Sequence, residues 1–168
     1  HLDWTECKDK QTLAIIDDRS RKILALGEYS NATTENTKKL FDKALIELGE
    51  VAVFVEQANT DRGTQFYPNN KNKKGEANHK FLEYLDSKGI KHIPSRRNNP
   101  QTNGKMERWF QEYKKHRHKF KSAESFRKWY NNRIHGGLRY NRGETPEIAF
   151  TRYINPGVWI NLFYGRFE

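Results

Sequence analysis

The chain has 168 residues, which suits a single domain, and 13% of them are aromatic, a bulk that disordered chains lack. No apolar run approaches 18 residues, which excludes a transmembrane helix, and the lone Cys7 excludes a disulfide framework or a cysteine-rich zinc module. The net charge of +10 at pH 7 favours a polyanionic partner.

Residues 2–29 are predicted to form three strands. Residues 12–17 are an apolar run of buried-strand length, and residues 19–21 read as a turn. Because the connections are short, antiparallel pairing is expected. The predicted strands cover residues 2–6, 12–17 and 22–29.

A helix and a parallel strand are predicted next. Thr33 or Thr34 can cap a helix that runs to about Leu48 and ends at Gly49. Residues 51–55 then form a predicted strand, and the preceding helix favours a right-handed parallel crossover.

The remaining elements follow from periodicity and from turn residues. A helix over 78–88 is stopped by Gly89, a short strand covers 90–93, and polar stretches at 67–75 and 94–104 read as loops. From about Lys105 the pattern is helical, and Pro146 suits the first position of a last helix. Two apolar stripes are expected on these helices, one of Met106, Phe110 and Tyr113 and one of Phe126, Trp129, Tyr130 and Ile134.

This order of elements predicts an α/β fold with helices against a mixed sheet. We assign residues 1–150 to one domain and leave residues 151–168, with the aromatic stretch 158–167, as a tail without an assigned role. Because the chain does not begin with Met, we expect it to be a processed piece or a fragment with sequence missing upstream of His1.

The positive charge is concentrated in one segment. Residues 91–142 hold fifteen Lys and Arg against three acids, whereas the rest of the chain is close to neutral. Basic and aromatic residues alternate there, as in Arg108-Trp109-Phe110. Such an asymmetry is typical of a face that binds nucleic acid.

Three acidic residues lie where predicted elements begin or end: Asp3 on the first strand, Asp61 after the fourth and Glu107 early in a helix. Gly63 permits a tight turn beside Asp61. Carboxylates in such a basic context need a partner, and Mg²⁺ or Mn²⁺ prefers oxygen ligands.

Ordered motifs resemble a known family. Four stretches look like those of the DDE integrase and transposase catalytic core: Asp3-Trp4-Thr5, the 17–21 stretch Asp-Asp-Arg-Ser-Arg, the 60–66 stretch Thr-Asp-Arg-Gly-Thr-Gln-Phe and the 100–108 stretch Pro-Gln-Thr-Asn-Gly-Lys-Met-Glu-Arg. The 130–138 stretch and Thr145-Pro146 resemble the tail that follows this core in insertion-sequence transposases. The resemblance implies a ribonuclease H-like fold with extra C-terminal helices.

The resemblance also implies a mechanism. The acidic triad falls on Asp3, Asp61 and Glu107, which would hold two Mg²⁺ or Mn²⁺ ions for DNA cleavage and strand transfer by a polynucleotidyl transferase, with Asp3 bridging both ions. The family often has a basic residue two helical turns after the Glu, and Lys114 matches it. The spacing of 46 positions between Asp61 and Glu107 exceeds that of many members, and the 67–75 loop is a natural place for the extra length.

The expected partner is DNA, both as transposon ends and as target, in a homo-oligomer away from membranes. We expect a cytoplasmic, nucleoid-associated location in a prokaryote, or a nuclear one for a eukaryotic or viral source. The candidate phosphate-binding residues are Arg96, Arg97, Lys105, Arg108, Lys114, Lys115 and Arg117.

Two other functions fit the same residues. A ribonuclease H-type or junction-resolving nuclease would need a fourth acid, for which Glu35 or Glu47 is available, and a domesticated transposase would bind DNA without catalysis. Asp17 and Asp18 are interpreted as structural, and His135 as structural or DNA-contacting. The i, i+2 spacing of His116 and His118 does not suit a zinc pair on a helix.

Overall fold

A mixed five-stranded sheet forms the centre of the structure, a computed structural model that describes residues 1–51, 53–68, 79–95 and 104–153. The strand order is β3-β2-β1-β4-β5. The first three strands pair antiparallel, whereas β4 runs parallel to both β1 and β5, so both predicted pairing modes are confirmed. The strands are β1 (Leu2–Cys7), β2 (Lys10–Ile16), β3 (Ile23–Tyr29), β4 (Gln57–Thr60) and β5 (Lys91–Pro94).

Five α-helices in the described ranges flank the sheet, and the N-terminal caps of three of them agree with local chemistry. The Thr33 hydroxyl accepts a hydrogen bond from Asn36 N at the start of α1, as predicted. His79 caps α2, and Ser122 forms a capping box at α4. The helices are α1 (Thr34–Gly49), α2 (Lys80–Ser87), α3 (Gly104–His116), α4 (Ala123–Asn131) and α5 (Pro146–Tyr153).

Two glycines predicted to end helices behave differently. Gly89 follows α2 with φ of +68°, the left-handed conformation that glycine adopts without strain. Gly49 instead stays within α1, and Glu50 is the residue that ends the helix, with right-handed φ and ψ. Pro146 occupies the first position of α5, as expected.

The strand predicted at residues 51–55 is wrong, since β4 begins only at Gln57. The valines at every second position of this stretch do not lie in the sheet. They pack around Leu48 of α1 and Phe150 of α5, and these valines are Val51, Val53 and Val55. The strand itself is mostly polar, and only Ala58 and Thr60 are buried.

Both faces of the sheet carry a hydrophobic core, and β2 contributes to both by strict alternation. Leu13 and Ile15 point into the core under α1 and α2, whereas Ala14 and Ile16 point into the core under α3 and α4. We call these the α1–α2 core and the α3–α4 core. The main members of the first are Leu2, Leu13, Ile15, Phe41, Phe66, Phe81 and Leu85; those of the second are Ala14, Ile16, Met106, Trp109, Phe110, Tyr113, Phe126 and Tyr130.

The α3 stripe is confirmed, with Trp109 added to the predicted residues. On α4 and beyond, the prediction is partly wrong, because Ile134 is 52% exposed and lies outside the core. The predictions for residues 69–75, residue 78 and the tail 158–167 lie outside the described residues. No helix in the described ranges is both long and apolar enough to cross a membrane.

A buried amide joins α4 to the edge of the sheet. β3 is an edge strand, so its outer backbone groups need partners. The Asn131 side chain accepts from Ile23 N at 2.9 Å and donates to Ile23 O at 3.0 Å. This two-point contact fixes α4, and with it the α3–α4 core, against the sheet.

Candidate active site

The pairing of β1 with β4 brings two of the predicted aspartates to neighbouring backbone positions. Leu2 lies opposite Thr60 in the parallel register. The next residue in the chain is an aspartate in both cases, Asp3 after Leu2 and Asp61 after Thr60. Asp3 is buried and Asp61 half-buried.

The loop after β4 holds the Asp61 carboxylate in place. Gly63 N donates to Asp61 Oδ1 at 3.0 Å, and the Thr60 hydroxyl donates to the Asp61 carbonyl at 2.7 Å. A Cβ on Gly63 would lie 3.0 Å from Asp61 Oδ1 and 2.6 Å from Gln65 Oε1. Gly63 is therefore needed for space, since it is not among the described residues with positive φ.

Asp3 sits among ordered neighbours on β1. Its Oδ1 accepts from Trp4 N at 2.7 Å. The Trp4 indole is fixed in turn by a hydrogen bond to Thr37 on α1 at 3.2 Å and by a tilted contact with Tyr29 at 5.5 Å. The strand around Asp3 is thus held by the α1 side of the molecule.

Glu107 lies in the first turn of α3, which packs across β1, and its side chain is exposed. Seven residues later on the same face is Lys114, also exposed. Met106, Trp109 and Tyr113 occupy the opposite, buried face. The packing of α3 therefore leaves one polar stripe facing outward, with a carboxylate and a lysine two turns apart.

The three carboxylates are not assembled into one metal-holding group. Within residues 1–51, 53–68, 79–95 and 104–153, no cluster of three or more His, Cys, Asp or Glu is positioned to hold a metal ion. The sheet register brings the backbones of Asp3 and Asp61 close together, and Glu107 lies on α3, which packs across β1. The donor chemistry suits Mg²⁺ or Mn²⁺, and the assignment of the triad stays a prediction.

The predicted phosphate-binding residues differ in what they contact. Arg108, Lys114 and Lys115 are exposed on α3, whereas Lys105 forms an ion pair with Asp18 at 2.6 Å. Arg96 and Arg97 lie outside the described residues.

Arg117 is engaged inside the protein. Its guanidinium contacts the Glu28 carboxylate at 2.6 and 3.0 Å and donates to the Phe120 carbonyl at 2.7 Å. Tyr113 also donates to Glu28. Burial pushes the pKa of Glu28 upward, but the hydrogen bonds from Arg117 and Tyr113 outweigh it and hold that pKa below its ordinary value. We therefore leave Arg117 out of the DNA-facing surface.

Several other candidates have structural contacts. Asp17 Oδ2 accepts from Ser20 N and Oγ at 2.7 and 2.5 Å, which fixes the turn after β2. His135 Nδ1 accepts from Gly137 N at 3.1 Å, and burial lowers its pKa. Glu47, available as a fourth acid, is paired with Arg127 at 2.9 Å. These contacts agree with the structural interpretation of Asp17 and His135.

Sequence reasoning missed Glu144, a carboxylate only 5% exposed. It accepts from Arg139 N at 3.1 Å and pairs with Arg152 at 2.9 Å, and its carbonyl accepts from His135 N. It thereby ties the segment after α4 to α5. Its neighbours in the sequence give no sign of burial, and its partners are recognised only in the folded chain.

Comparison with known proteins identifies the class. The structure superimposes on the catalytic core domain of BIV integrase with a TM-score of 0.61, at 18% identity, over 90% of this chain and 92% of that one. It also matches the HTLV-2 integrase catalytic core domain, solved in complex with magnesium in a trimeric form, with a TM-score of 0.59 at 19% identity, over 89% of this chain and 91% of that one. The fold is therefore the ribonuclease H-like fold of integrase catalytic cores, as predicted.

The sequence itself gives the family. Residues 1–100 match the integrase core domain, and the chain belongs to that family. It is also 33% identical over 104 residues to a putative integrase, ORF3, of Spiroplasma virus SpV1-C74. That match covers 60% of this chain but only 28% of the length of the viral protein.

Proposed function

We propose that this chain is the catalytic domain of a DNA integrase or transposase, a polynucleotidyl transferase that depends on divalent metal. The observation that carries the proposal is the register that sets Asp3 beside Asp61, with α3 and its Glu107 packed across β1. Family membership supports the reaction class, and the register of β1 with β4 together with the packing of α3 supports this choice of site residues.

In this proposal, Asp3 and Asp61 provide the fixed part of the metal site, and Glu107 completes it from α3. A pair of Mg²⁺ or Mn²⁺ ions bound there would activate the attacking oxygen and stabilise the leaving oxygen. The oxygen of water, or later of a DNA 3′-hydroxyl, forms a bond to phosphorus while the bond to the leaving 3′ oxygen breaks.

The exposed face of α3 would bind the substrate. Lys114 lies on the same side of α3 as Glu107, whereas Arg108 and Lys115 lie about a quarter turn away, and all three are exposed. Their charges suit phosphate oxygens on either side of the reacting bond. DNA affinity should therefore fall steeply as salt rises, because each phosphate contact releases counterions. The homo-oligomer expected from the sequence is part of the same proposal.

The test is metal-dependent nicking of supercoiled plasmid and joining of a labelled 3′-hydroxyl end. Asp61→Asn should lower both by at least about 100-fold, because loss of a metal ligand exceeds the effect of losing an outer-shell group. DNA binding should remain measurable. Asp86→Asn, at an exposed position of α2, is the matched control and should leave nicking unchanged.

Full nicking by Asp61→Asn, or activity that persists in EDTA, would contradict the assignment. Cleavage of RNA–DNA hybrids without any joining of DNA ends would favour the nuclease alternative. DNA binding by the wild type with no nicking in Mg²⁺ or Mn²⁺ would favour the non-catalytic one.

A further inference from the structure

A polar cavity of about 520 Å³ lies on the α3–α4 side of the sheet. It is bounded by the turn after β2, one flank of α3, and the segment that follows α4. We call it the basic pocket. Its lining includes Arg21, Lys105, Arg108, Trp109, Arg133 and His135.

Arg21 is held in this lining by a strained backbone. Its φ is +64°, a left-handed conformation that a residue with a side chain rarely adopts. The turn that imposes it is fixed by the Asp17 contacts to Ser20 and by Arg21 N donating to the Asp17 carbonyl at 2.9 Å. Glycine would relieve this strain but would remove the guanidinium from the pocket.

Two donors on lining residues are left without a partner. Arg21 Nη1 and the indole Nε1 of Trp109 are both buried and have no hydrogen-bond partner among the described residues. Trp109 is only 2% exposed. A buried N–H without an acceptor is costly, so an acceptor of both would be favoured in the pocket.

The charges that face the pocket are mostly positive. The acids near it are Glu112, which pairs with Arg133 at 2.8 Å, and Asp18, which pairs with Lys105 at 2.6 Å and lies 3.8 Å from Arg21 Nη1. Arg108 is exposed. Asp18 Oδ1 and Glu112 Oε2 also lack a hydrogen-bond partner among the described residues, but Arg21, Lys105, Arg108 and Arg133 outnumber these two acids. This excess of positive charge suits an oxyanion.

We propose that the basic pocket binds a phosphodiester group of the DNA strand that flanks the reacting bond. Glu107 does not line the pocket, but it precedes Arg108 on α3, so a DNA strand bound along this helix can meet both side chains. Arg21 and Arg108 provide the charge, and the Trp109 indole donates one hydrogen bond. This inference rests on the proposed function, because it takes DNA as the substrate.

The first test is Arg21→Gly, which removes the guanidinium and relieves the backbone strain, so the variant should fold. Its affinity for a short DNA duplex should fall about tenfold at low salt, and the slope of log affinity against log salt should decrease by about 0.9. Lys121→Gln, an exposed basic residue outside the lining, is the matched control. Equal affinity and slope for Arg21→Gly and wild type would overturn the proposal.

The second test follows the indole N–H of Trp109 by ¹H–¹⁵N NMR, with the peak assigned from Trp109→Phe. The peak should shift when duplex DNA is added to wild type and stay still in Arg21→Gly. A stationary wild-type peak, while amides of Lys114 and Lys115 shift, would overturn the proposal. A shift with inorganic phosphate but not with DNA would also overturn it, since the pocket would then take a free anion only.

These outcomes separate the two proposals. Plasmid nicking that is lost in Asp61→Asn, together with a stationary Trp109 peak, would overturn the pocket and keep the proposed function. A DNA-dependent shift of Trp109 in a wild-type protein that never nicks DNA would support the pocket and contradict the proposed function.

Discussion

The two faces of the sheet are packed by different kinds of side chain. The α1–α2 core is built from aliphatic residues and phenylalanines, such as Leu85 and Phe81. The α3–α4 core is largely aromatic, and several of its rings carry a polar atom, as in Trp109, Tyr113 and Tyr130. Its rings pack closely, with Trp109 stacked on Tyr113 at 5.2 Å and Tyr113 edge-on to Phe126 at 5.1 Å.

The aromatic packing of the α3–α4 core explains how α3 and α4 stay folded although their outer faces are basic. Large rings bury much apolar area per residue, so α3 and α4 need few core positions and keep their outer faces for charge. Polar atoms inside such a core require partners. The Tyr113 hydroxyl donates a hydrogen bond to the Glu28 carboxylate. The indole N–H of Trp109 has no partner among the described residues, and Trp109 lines the basic pocket.

The largest expected effect is at the centre of the α3–α4 core. Trp109→Ala should lower the free energy of unfolding by about 3–5 kcal/mol, because it leaves a large cavity. Urea denaturation measures the change, with Phe54→Ala as control, since Phe54 is 88% exposed. A loss below about 1 kcal/mol would show that this core does not hold α3.

The attachment of α4 comes next. Asn131→Ala should cost about 2–4 kcal/mol, because it leaves both the N–H and the carbonyl of Ile23 without their partner. Denaturation gives the cost, and hydrogen exchange at Ile23 should rise. Asn132→Ala is the matched control, since Asn132 is exposed and its amide bonds only to the carbonyl of Lys128. Similar costs for the two variants would contradict this role of Asn131.

Glu28 should give a smaller, pH-dependent effect. Its pKa in the folded protein lies below the ordinary value of 4.5, so its stabilisation is fully present above about pH 4.5 and is lost as pH falls through the folded value. Glu28→Gln should cost about 1 kcal/mol at pH 7, the range of a partly screened pair. The stabilities of the two proteins should approach each other as pH falls below 4.5 and through the folded pKa of Glu28, and a difference that does not change with pH throughout the acid range would refute the pairing.

The smallest effect on stability is expected beside Asp61. Gly63→Ala should change the free energy of unfolding by less than about 1 kcal/mol, because the crowded atoms are movable ends of Asp61 and Gln65. Displacing the Asp61 carboxylate should nevertheless reduce nicking by about 10- to 100-fold. Gly49→Ala, at the end of α1 and outside the basic pocket, where an added Cβ meets nothing within 4 Å, should leave nicking intact. Unchanged nicking by Gly63→Ala would show that the Asp61 position is not critical.

The sequence correctly predicted the elements whose residue pattern is set by local chemistry alone. The buried apolar run of β2, the Thr33 cap and the end of α2 at Gly89 follow from local chemistry, and each is confirmed. The strand at 51–55 failed because valines that pack between α1 and α5 mimic strand alternation. The polar β4 carries no such signal, and its place depends on pairing with β1 and β5.

The candidate site was predictable in part. Asp3 and Asp61 come together through parallel pairing, a consequence of the predicted crossover. The ion pair of Arg117 with Glu28, 89 residues away in the chain, could not be foreseen, since nothing local marks either partner. Arg21 was missed for a similar reason, because its importance rests on a backbone angle and a cavity.

A crystal of this protein grown with Mn²⁺ would test the central claim most directly, through the anomalous signal of the metal. The account predicts a peak bound by the carboxylates of Asp3 and Asp61, with Glu107 drawn in as a third ligand, and no peak in Asp61→Asn. Manganese bound only at other carboxylates, with Asp3 and Asp61 unoccupied at millimolar metal, would contradict it.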